Sequence, residues 1–314
     1  MLNNQRTFVR VVEKYCTNHG ISLDVRSQGW LLILQRGPER HLALGYDLGL
    51  NSSVTHRIAS DKAATAEVLE ISGVPCIPHA LFLSPTLSKY VPATGSWEAM
   101  LLLLRENPQG IVVKPNEGTG GNSVFKVLTK PELELAVSTI FSSNRSLSIS
   151  PFLEIEAEVR VILVDYVPIV IYGKNRLSVV GDGRRSLLEL ALATVPAEQL
   201  STVLSGMIGD LDEVTLGAVP PLGQRRVLNW RHNLGSGAQP LLLGQGVTRD
   251  ACSRIAVQAA KAIEMRFGSI DVVQVNGLWR ILEINSGVMM EALSKLHPDL
   301  VYAAYSAALD TIFL

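Results

Sequence analysis

An α+β fold is what the sequence predicts, and three observations carry that reading. Apolar runs of strand length, helical segments with their own start and stop residues, and locally paired hairpins succeed one another in blocks. Blocks of strands, then helices, then hairpins favour segregated layers over a doubly wound parallel sheet. The 314 residues are 47% hydrophobic and 18% charged, ample for a packed core, and that length sets a prior of about two subdomains. The 28 Lys and Arg against 29 Asp and Glu leave a formal net charge of −1. Bulk charge therefore argues against a nucleic-acid or acidic-membrane partner, and the high apolar content argues against disorder.

Along the chain, FVRVVEKYC (8–16) has helical spacing, and WLLIL (30–34) is a strand-like run. SDKAATAEVLEIS (60–72) reads as a helix capped by Ser60 and ended by Gly73 and Pro75. VPCIP (74–78) is extended, because a residue before proline avoids the α region. Ser96 opens a helix over about 96–106 that Pro108 and Gly110 close. IVVKP (111–115) and VFKVL (124–128) flank the turn NEGTGGNS, and Thr129 with Glu132 forms a capping box for a helix to about 141. EVRVILV (158–164) and PIVIY (168–172) pair across Asp165-Tyr166. Helices are expected near 186–206, then a polar loop RHNLGSGAQP (231–240), then a helix from Thr248 to about Phe267. SIDVVQV and LWRILEIN close the pattern as a hairpin across Asn276-Gly277.

Compartment signals point one way. The N-terminal MLNNQRTFVRVVEKYC has no apolar signal segment. The longest strongly apolar stretch, 161–172, contains Asp165 and Pro168 and is too short for about 30 Å of hydrocarbon. Cys16, Cys76 and Cys252 are odd in number and far apart, which reads as free thiols in a reducing cytoplasm.

Two constellations carry chemistry. The first is the turn with Gly118, Gly120 and Gly121, led into by Lys114. It lacks the third glycine and following helix of a dinucleotide fingerprint, and it lacks the Gly-Lys-Ser/Thr of a Walker loop. Two readings stay open: a plain surface hairpin, or a backbone cover for phosphates, and a lysine within an apolar strand speaks for the second. The second constellation is Asp271, Glu283 and Asn285 on the last hairpin. They are either outward polar positions or ligands of a hard cation such as magnesium. In regular pairing around Asn276-Gly277, Asp271 and Glu283 would fall on opposite faces. A three-residue loop, Val275 to Gly277 with Gly277 left-handed, or an equivalent one-residue shift, puts all three on one face. That shifted register is the expectation.

Taken in chain order, Asp61-Lys62-x-x-Thr65, GVPCIP (73–78), VVKP (112–115), the glycine-rich hairpin, Glu158-Val159-Arg160, and IDVV with LEIN resemble the ATP-grasp superfamily over about residues 56–293. Arg176, Gly181-Asp182-Gly183 and Asn233-Leu234-Gly235-Ser236-Gly237 resemble its branch of cyanophycin synthetase, bifunctional glutathione synthetase and glutamate-adding ligases. The resemblance implies two α+β subdomains clamping ATP, one lid-bearing (56–150) and one metal-binding (151–314), preceded by a reduced N-terminal α/β piece (1–55).

It also implies roles, position by position. Lys62 and Lys114 would contact phosphates, and Gly118, Thr119, Gly120, Gly121, Asn122 and Ser123 would cover them. Phe152 and Leu153 would meet the adenine edge through their backbone, although Ser150-Pro151 stands where the family usually has an acid or amide. Glu158 would bind ribose, and Asp271, Glu283 and Asn285 would hold Mg2+, with Mn2+ able to replace it. Arg160 and Arg176 would serve as catalytic residues near the transferred phosphoryl group, and Arg231 and Asn233 would lie beside the acceptor substrate. The implied activity is an ADP-producing ligase that joins a small carboxylate, an amino acid or short peptide, to an amine through an acylphosphate. A phosphotransferase or carboxylase on the same fold, or a silent ATP-binding regulator, are the alternatives. Small-molecule substrates are the implied partners, with no nucleic acid and no membrane, and a homodimer is compatible with the family.

Overall fold

In the computed structural model, which describes residues 5–88, 96–118, 120–211 and 213–314, four sheets and their covering helices make up the described residues. Helix α1 (Thr7–His19) buries Phe8, Val12, Tyr15 and Cys16 along one side. A meander of β1 (Ser22–Arg26), β2 (Leu31–Arg36) and β3 (Glu39–Leu44) comes next. It leads into α2 (Ser53–Ser60) and α3 (Lys62–Ile71). The helix expected over 60–72 is α3, but Ser60 ends α2 and does not cap α3. Its hydroxyl donates back to the His56 carbonyl at 2.9 Å, while Asp61 turns extended and its carboxylate accepts from Ala64 N at 2.8 Å. A carboxylate caps as well as a hydroxyl, and Asp61 has the backbone to do it.

A four-stranded sheet holds β4 (Ala80–Leu83), β5 (Ile111–Pro115), β6 (Phe125–Val127) and β7 (Ser146–Pro151) in the order β4-β7-β5-β6. A short α4 (Pro85–Ser88) succeeds β4; α5 (Trp97–Glu106) and α6 (Lys130–Phe141) cover the sheet through Met100, Leu133 and Ile140. Ser96 caps α5, and the Thr129–Glu132 capping box opens α6, as their sequences predict. Strands β5 and β6 pair directly, so the glycine-rich turn projects from this sheet.

Strands β8 (Ala157–Val164) and β9 (Val167–Asn175) form the expected hairpin, with Asp165 and Tyr166 both at positive φ (46° and 65°). The ribbon of β10 (Ser178–Val180) with β11 (Arg225–Val227), together with α7 (Leu187–Thr194), α8 (Ala197–Asp210) and α9 (Glu213–Gly217), packs around its own small core of Val179, Leu190, Val203 and Met207. Then come β12 (Gln239–Leu242), α10 (Val247–Ala262), β13 (Phe267–Val275), β14 (Leu278–Asn285), α11 (Glu291–Ser294) and α12 (Pro298–Phe313). Helix α10 stops short of Phe267: Glu264 takes φ 56°, and Asn51 Oδ1 accepts from both Arg266 N and Phe267 N. No helix among the described residues is long and apolar enough to cross a membrane. Cys16, Cys76 and Cys252 are free.

The order β12-β9-β8-β13-β14 makes an antiparallel five-stranded sheet. Its side chains alternate, which sorts them by face. Val161, Ile171, Ile270, Val272 and Ile284 meet α10, with Ala59 of α2 and Leu69 of α3. On the other face, Ile162, Val170, Tyr172 and Phe267 meet α1 and α12, and further along the same strands stand Glu158, Arg160, Lys174 and Asp271.

The last hairpin departs from one expectation and keeps another. Val275 pairs with Leu278, so the loop is the two residues Asn276 and Gly277, both at positive φ (51° and 72°), and not three. Regular pairing runs to Val272↔Ile281 and then shifts, placing Asp271 opposite Glu283 with Leu282 as the extra residue. The one-residue shift is therefore a bulge at Leu282. An Asn-Gly pair already satisfies a tight primed turn, so the turn keeps its preferred geometry and the strand absorbs the extra residue.

Candidate active site

Four charged side chains meet on the polar end of the five-stranded sheet. Asp271 lies opposite Arg160 in the β8–β13 register. Arg160 Nε and Nη2 donate to its two oxygens at 2.7 and 2.6 Å. Lys174 Nζ donates to Asp271 Oδ2 at 2.8 Å and to Glu158 Oε1 at 2.6 Å. Lys174, Glu158 and Asp271 are nearly inaccessible to water. Burial alone would raise the Asp271 carboxyl, but Arg160 and Lys174 outweigh it and hold the group well below the usual carboxylate range. For Lys174, burial and Arg160 lower the ammonium while Asp271 and Glu158 outweigh them and raise it. The charges cancel, which is what lets four ionised groups share a dry site. Lys174 escaped the sequence reading, although it carries the same signal as Lys114: a lysine at the end of an apolar strand.

Lys114 comes from the other sheet. It is 7% exposed, and among the described residues its ammonium has no hydrogen-bonded or ion-paired partner. Burial pushes it down to about 8, with Lys62 adding to the fall and the negative charges of Glu283 and Glu158 opposing it. Among the described residues the side chains of Glu283 and Asn285 likewise have no hydrogen-bonded or ion-paired partner. A water-sized void of about 10 Å3 between α3 and β14 is lined by Lys62, Thr65, His79 and Glu283. Burial first, and then Lys114, hold the His79 imidazole well below its ordinary range, so it is neutral there.

Lys62 lies at the base of the glycine-rich turn. Its Nζ donates to the carbonyls of Gly118 at 2.9 Å and Asn116 at 3.3 Å, and so it clamps the base of the glycine-rich turn. Gly118, Gly120, Gly121 and Ser123 all take positive φ, and Asn122 and Ser123 are exposed; Thr119 lies outside the described residues. Asn233 Nδ2 donates to Gly120 O at 2.8 Å and Arg231 Nη1 to Gly121 O at 3.3 Å. Both were expected beside an acceptor substrate; both instead touch the turn.

At the hinge, Phe152 N donates to Gly110 O at 2.9 Å, which removes that donor from an adenine edge. Its ring packs edge-on against Trp230 at 5.5 Å, under the Lys126 ammonium at 3.7 Å. Leu153 joins the small core of Ile77, Val273 and Val275. Arg176 is half-buried, with Nη1 donating to the Trp230 carbonyl at 3.4 Å.

Searches against protein-family models and against curated proteins give no match. Solved structures do match. A bifunctional glutathione synthetase from Pasteurella multocida superposes with a TM-score of 0.52 at 16% identity, covering 96% of this chain and 44% of that one. A D-alanine–D-alanine ligase from Bacillus anthracis gives 0.53 at 15% identity, over 83% of this chain and 68% of that one. The VanG D-Ala:D-Ser ligase from Enterococcus faecalis gives 0.51 at 12% identity, over 82% and 62%. This chain therefore spans less than half of the glutathione synthetase and under two thirds of VanG. What the three share with it is the arrangement of helices and antiparallel sheets. The chain has the ATP-grasp fold.

An ATP-grasp fold implies a bound cation and a nucleotide, and the residues of this cluster fit those groups unequally. Glu283 and Asn285 are oxygen donors two residues apart on one face, with free oxygens, and suit a hard cation that also takes phosphate oxygens and water. Asp271 does not complete the set as it stands, because Arg160 and Lys174 already occupy both its oxygens. Among the described residues no three His, Cys, Asp or Glu side chains gather as a metal site. Glu158 is likewise closed into its pair with Lys174 and is not presented to a ribose, and Arg160 is spent on Asp271. The physical cause is common to all three: buried charges are costly unless paired, and these strands place them within reach of one another.

Proposed function

We propose that the chain is an ATP-dependent ligase that joins a small carboxylate to an amine, with ADP and phosphate as by-products. The observation that carries the reading is Lys114: a buried lysine with no hydrogen-bonded or ion-paired partner among the described residues, on the strand that leads into the glycine-rich turn and within the field of Glu283. Such a cation calls for an anionic ligand, and polyphosphate supplies one. The solved neighbours, by their names a glutathione synthetase and two ligases of D-alanine, support an amino acid or short peptide as the substrate class.

The residues divide the work. Lys114 would bind a phosphate oxygen, and the N–H groups of the turn would cover the phosphates and keep out water. Glu283 and Asn285 would hold magnesium, which when bound neutralises phosphate charge against attack. Arg160, held by Asp271, and Arg176 would add positive field where the phosphoryl group moves. The substrate carboxylate oxygen attacks the γ-phosphorus as the bond to ADP breaks. The amine nitrogen then attacks the activated carbonyl carbon, phosphate leaves, and the amine proton passes to phosphate or solvent.

The test is an ADP-release screen over amino acids and dipeptides with mass spectrometry of the product. ADP that forms only with a carboxylate and an amine together supports the ligase; ADP with the carboxylate alone points to a phosphotransferase. Glu283→Gln and Lys114→Ala are expected to abolish turnover, at least a thousandfold, with the circular dichroism spectrum unchanged. Full turnover in either variant refutes the assignment.

A further inference from the structure

The glycine-rich turn belongs to one sheet but is held by a loop of the other. Asn233 uses both ends of its amide: Nδ2 donates to Gly120 O at 2.8 Å, and Oδ1 accepts from Gly235 N at 2.9 Å. Only this orientation of the amide satisfies a carbonyl on one side and an N–H on the other. The contact is close as well as polar. A Cβ on Gly121 would lie 2.5 Å from Asn233 Nδ2, so the side chain fills the space that glycine leaves there. The loop is fastened in turn to the five-stranded sheet, where His232 Nδ1 meets Lys174 O at 2.9 Å, and it is braced within itself by Arg231 N donating to Asn229 Oδ1 at 2.9 Å. Lys174 is the residue whose ammonium joins Asp271 to Glu158.

We propose that Asn233 is a positioning residue that latches the glycine-rich turn shut across the cleft. The turn offers few side chains of its own to order it, and its glycines cost more entropy to fix than other residues. A single donor from a braced loop offsets that cost at the tip, while Lys62 holds the base. Because the bracing runs through the main chain of Lys174, the latch ties the cover to the charged cluster on the five-stranded sheet. The turn's role as a phosphate cover rests on the ATP reading above; the latch itself is a property of the free protein.

Asn233→Asp is the discriminating variant. It is isosteric, keeps the Oδ1 acceptor for Gly235 N, and replaces the donor with an oxygen facing the Gly120 carbonyl. Hydrogen exchange of the full chain without ligand is expected to quicken about tenfold over 116–123, the size of a lost hydrogen bond plus repulsion, with β13 and β14 unchanged. Dissociation of a fluorescent ATP analogue is expected to quicken by a similar factor. Unchanged exchange over 116–123, or equal acceleration throughout the chain, overturns the latch. An analogue that fails to bind the wild-type protein counts against the ATP reading instead, while the exchange result still decides the latch.

Discussion

Replacing Lys174 with Met removes a charge and little volume, so the cost is set by the partners it leaves behind. The ammonium makes two charge-assisted hydrogen bonds, at 2.6 Å to Glu158 and 2.8 Å to Asp271, and its side chain is only 6% exposed. Asp271 keeps its two-pronged bond to Arg160, so most of the loss falls on Glu158, whose carboxylate stays buried with its partner gone. Breaking a buried pair from one side typically costs about 3–5 kcal/mol, and the remaining Arg160 contact puts Lys174→Met near about 3. For a chain of this length that is a fall in melting temperature of roughly 4–5 °C. Adding Glu158→Gln removes the stranded charge and is expected to recover about 2 kcal/mol. Both effects persist in about 0.5 M salt, because buried pairs are weakly screened. Urea and thermal unfolding of wild type, single and double variants measure all of this. A single variant within about 0.5 kcal/mol of wild type, or a double variant less stable than the single, refutes the account of the cluster.

Lys114 sits at about 8 in the folded chain against an ordinary 10.5, so below pH 8 its buried charge penalises folding in full. The penalty fades as pH rises from about 8 to 10.5, and Lys114→Met should flatten that part of the stability profile in urea titrations. Binding of ATP should also draw in a proton near pH 8 to 9, read as a buffer-dependent calorimetric heat; a buffer-independent heat there denies that Lys114 meets the phosphates. Gly268→Ala tests the backing of the last hairpin. A Cβ there would stand 2.2 Å from Met265 Sδ, which can swing away, and 2.8 Å from the Asn285 carbonyl, which cannot. The expected cost is about 1–3 kcal/mol by urea unfolding, with turnover reduced several-fold; wild-type values for both would mean the strand end moves freely.

Many of the residues that the sequence singled out are tied to one another or to the glycine-rich turn. Local rules were legible: the Thr129–Glu132 capping box, the Ser96 cap and the two-residue turn at Asp165-Tyr166 depend on neighbours a few positions away. Ser60 lost its cap role to Asp61 because two adjacent residues offered similar local chemistry, and only the chain's kink chose between them. The ribbon of β10 and β11 was missed for a related reason: three-residue strands show too little alternation to stand out from a loop.

What the sequence determined by itself was the alternation that puts Glu158, Arg160, Asp271 and Glu283 on strands, and the glycines that free the turn. Which charge meets which was decided by tertiary structure. A bulge at Leu282, invisible in composition, brings Glu283 opposite Asp271. Strand pairing across ninety-seven residues of chain sets Lys174 on Asp271 and takes that carboxylate out of the expected metal set. Lys62 closes on the base of the turn and Asn233 on its tip, from elements far apart in the chain. The physical reason is that caps and turns are satisfied within a few residues, whereas a buried charge must be satisfied by whatever the fold brings near. Its partner is therefore a property of the packing.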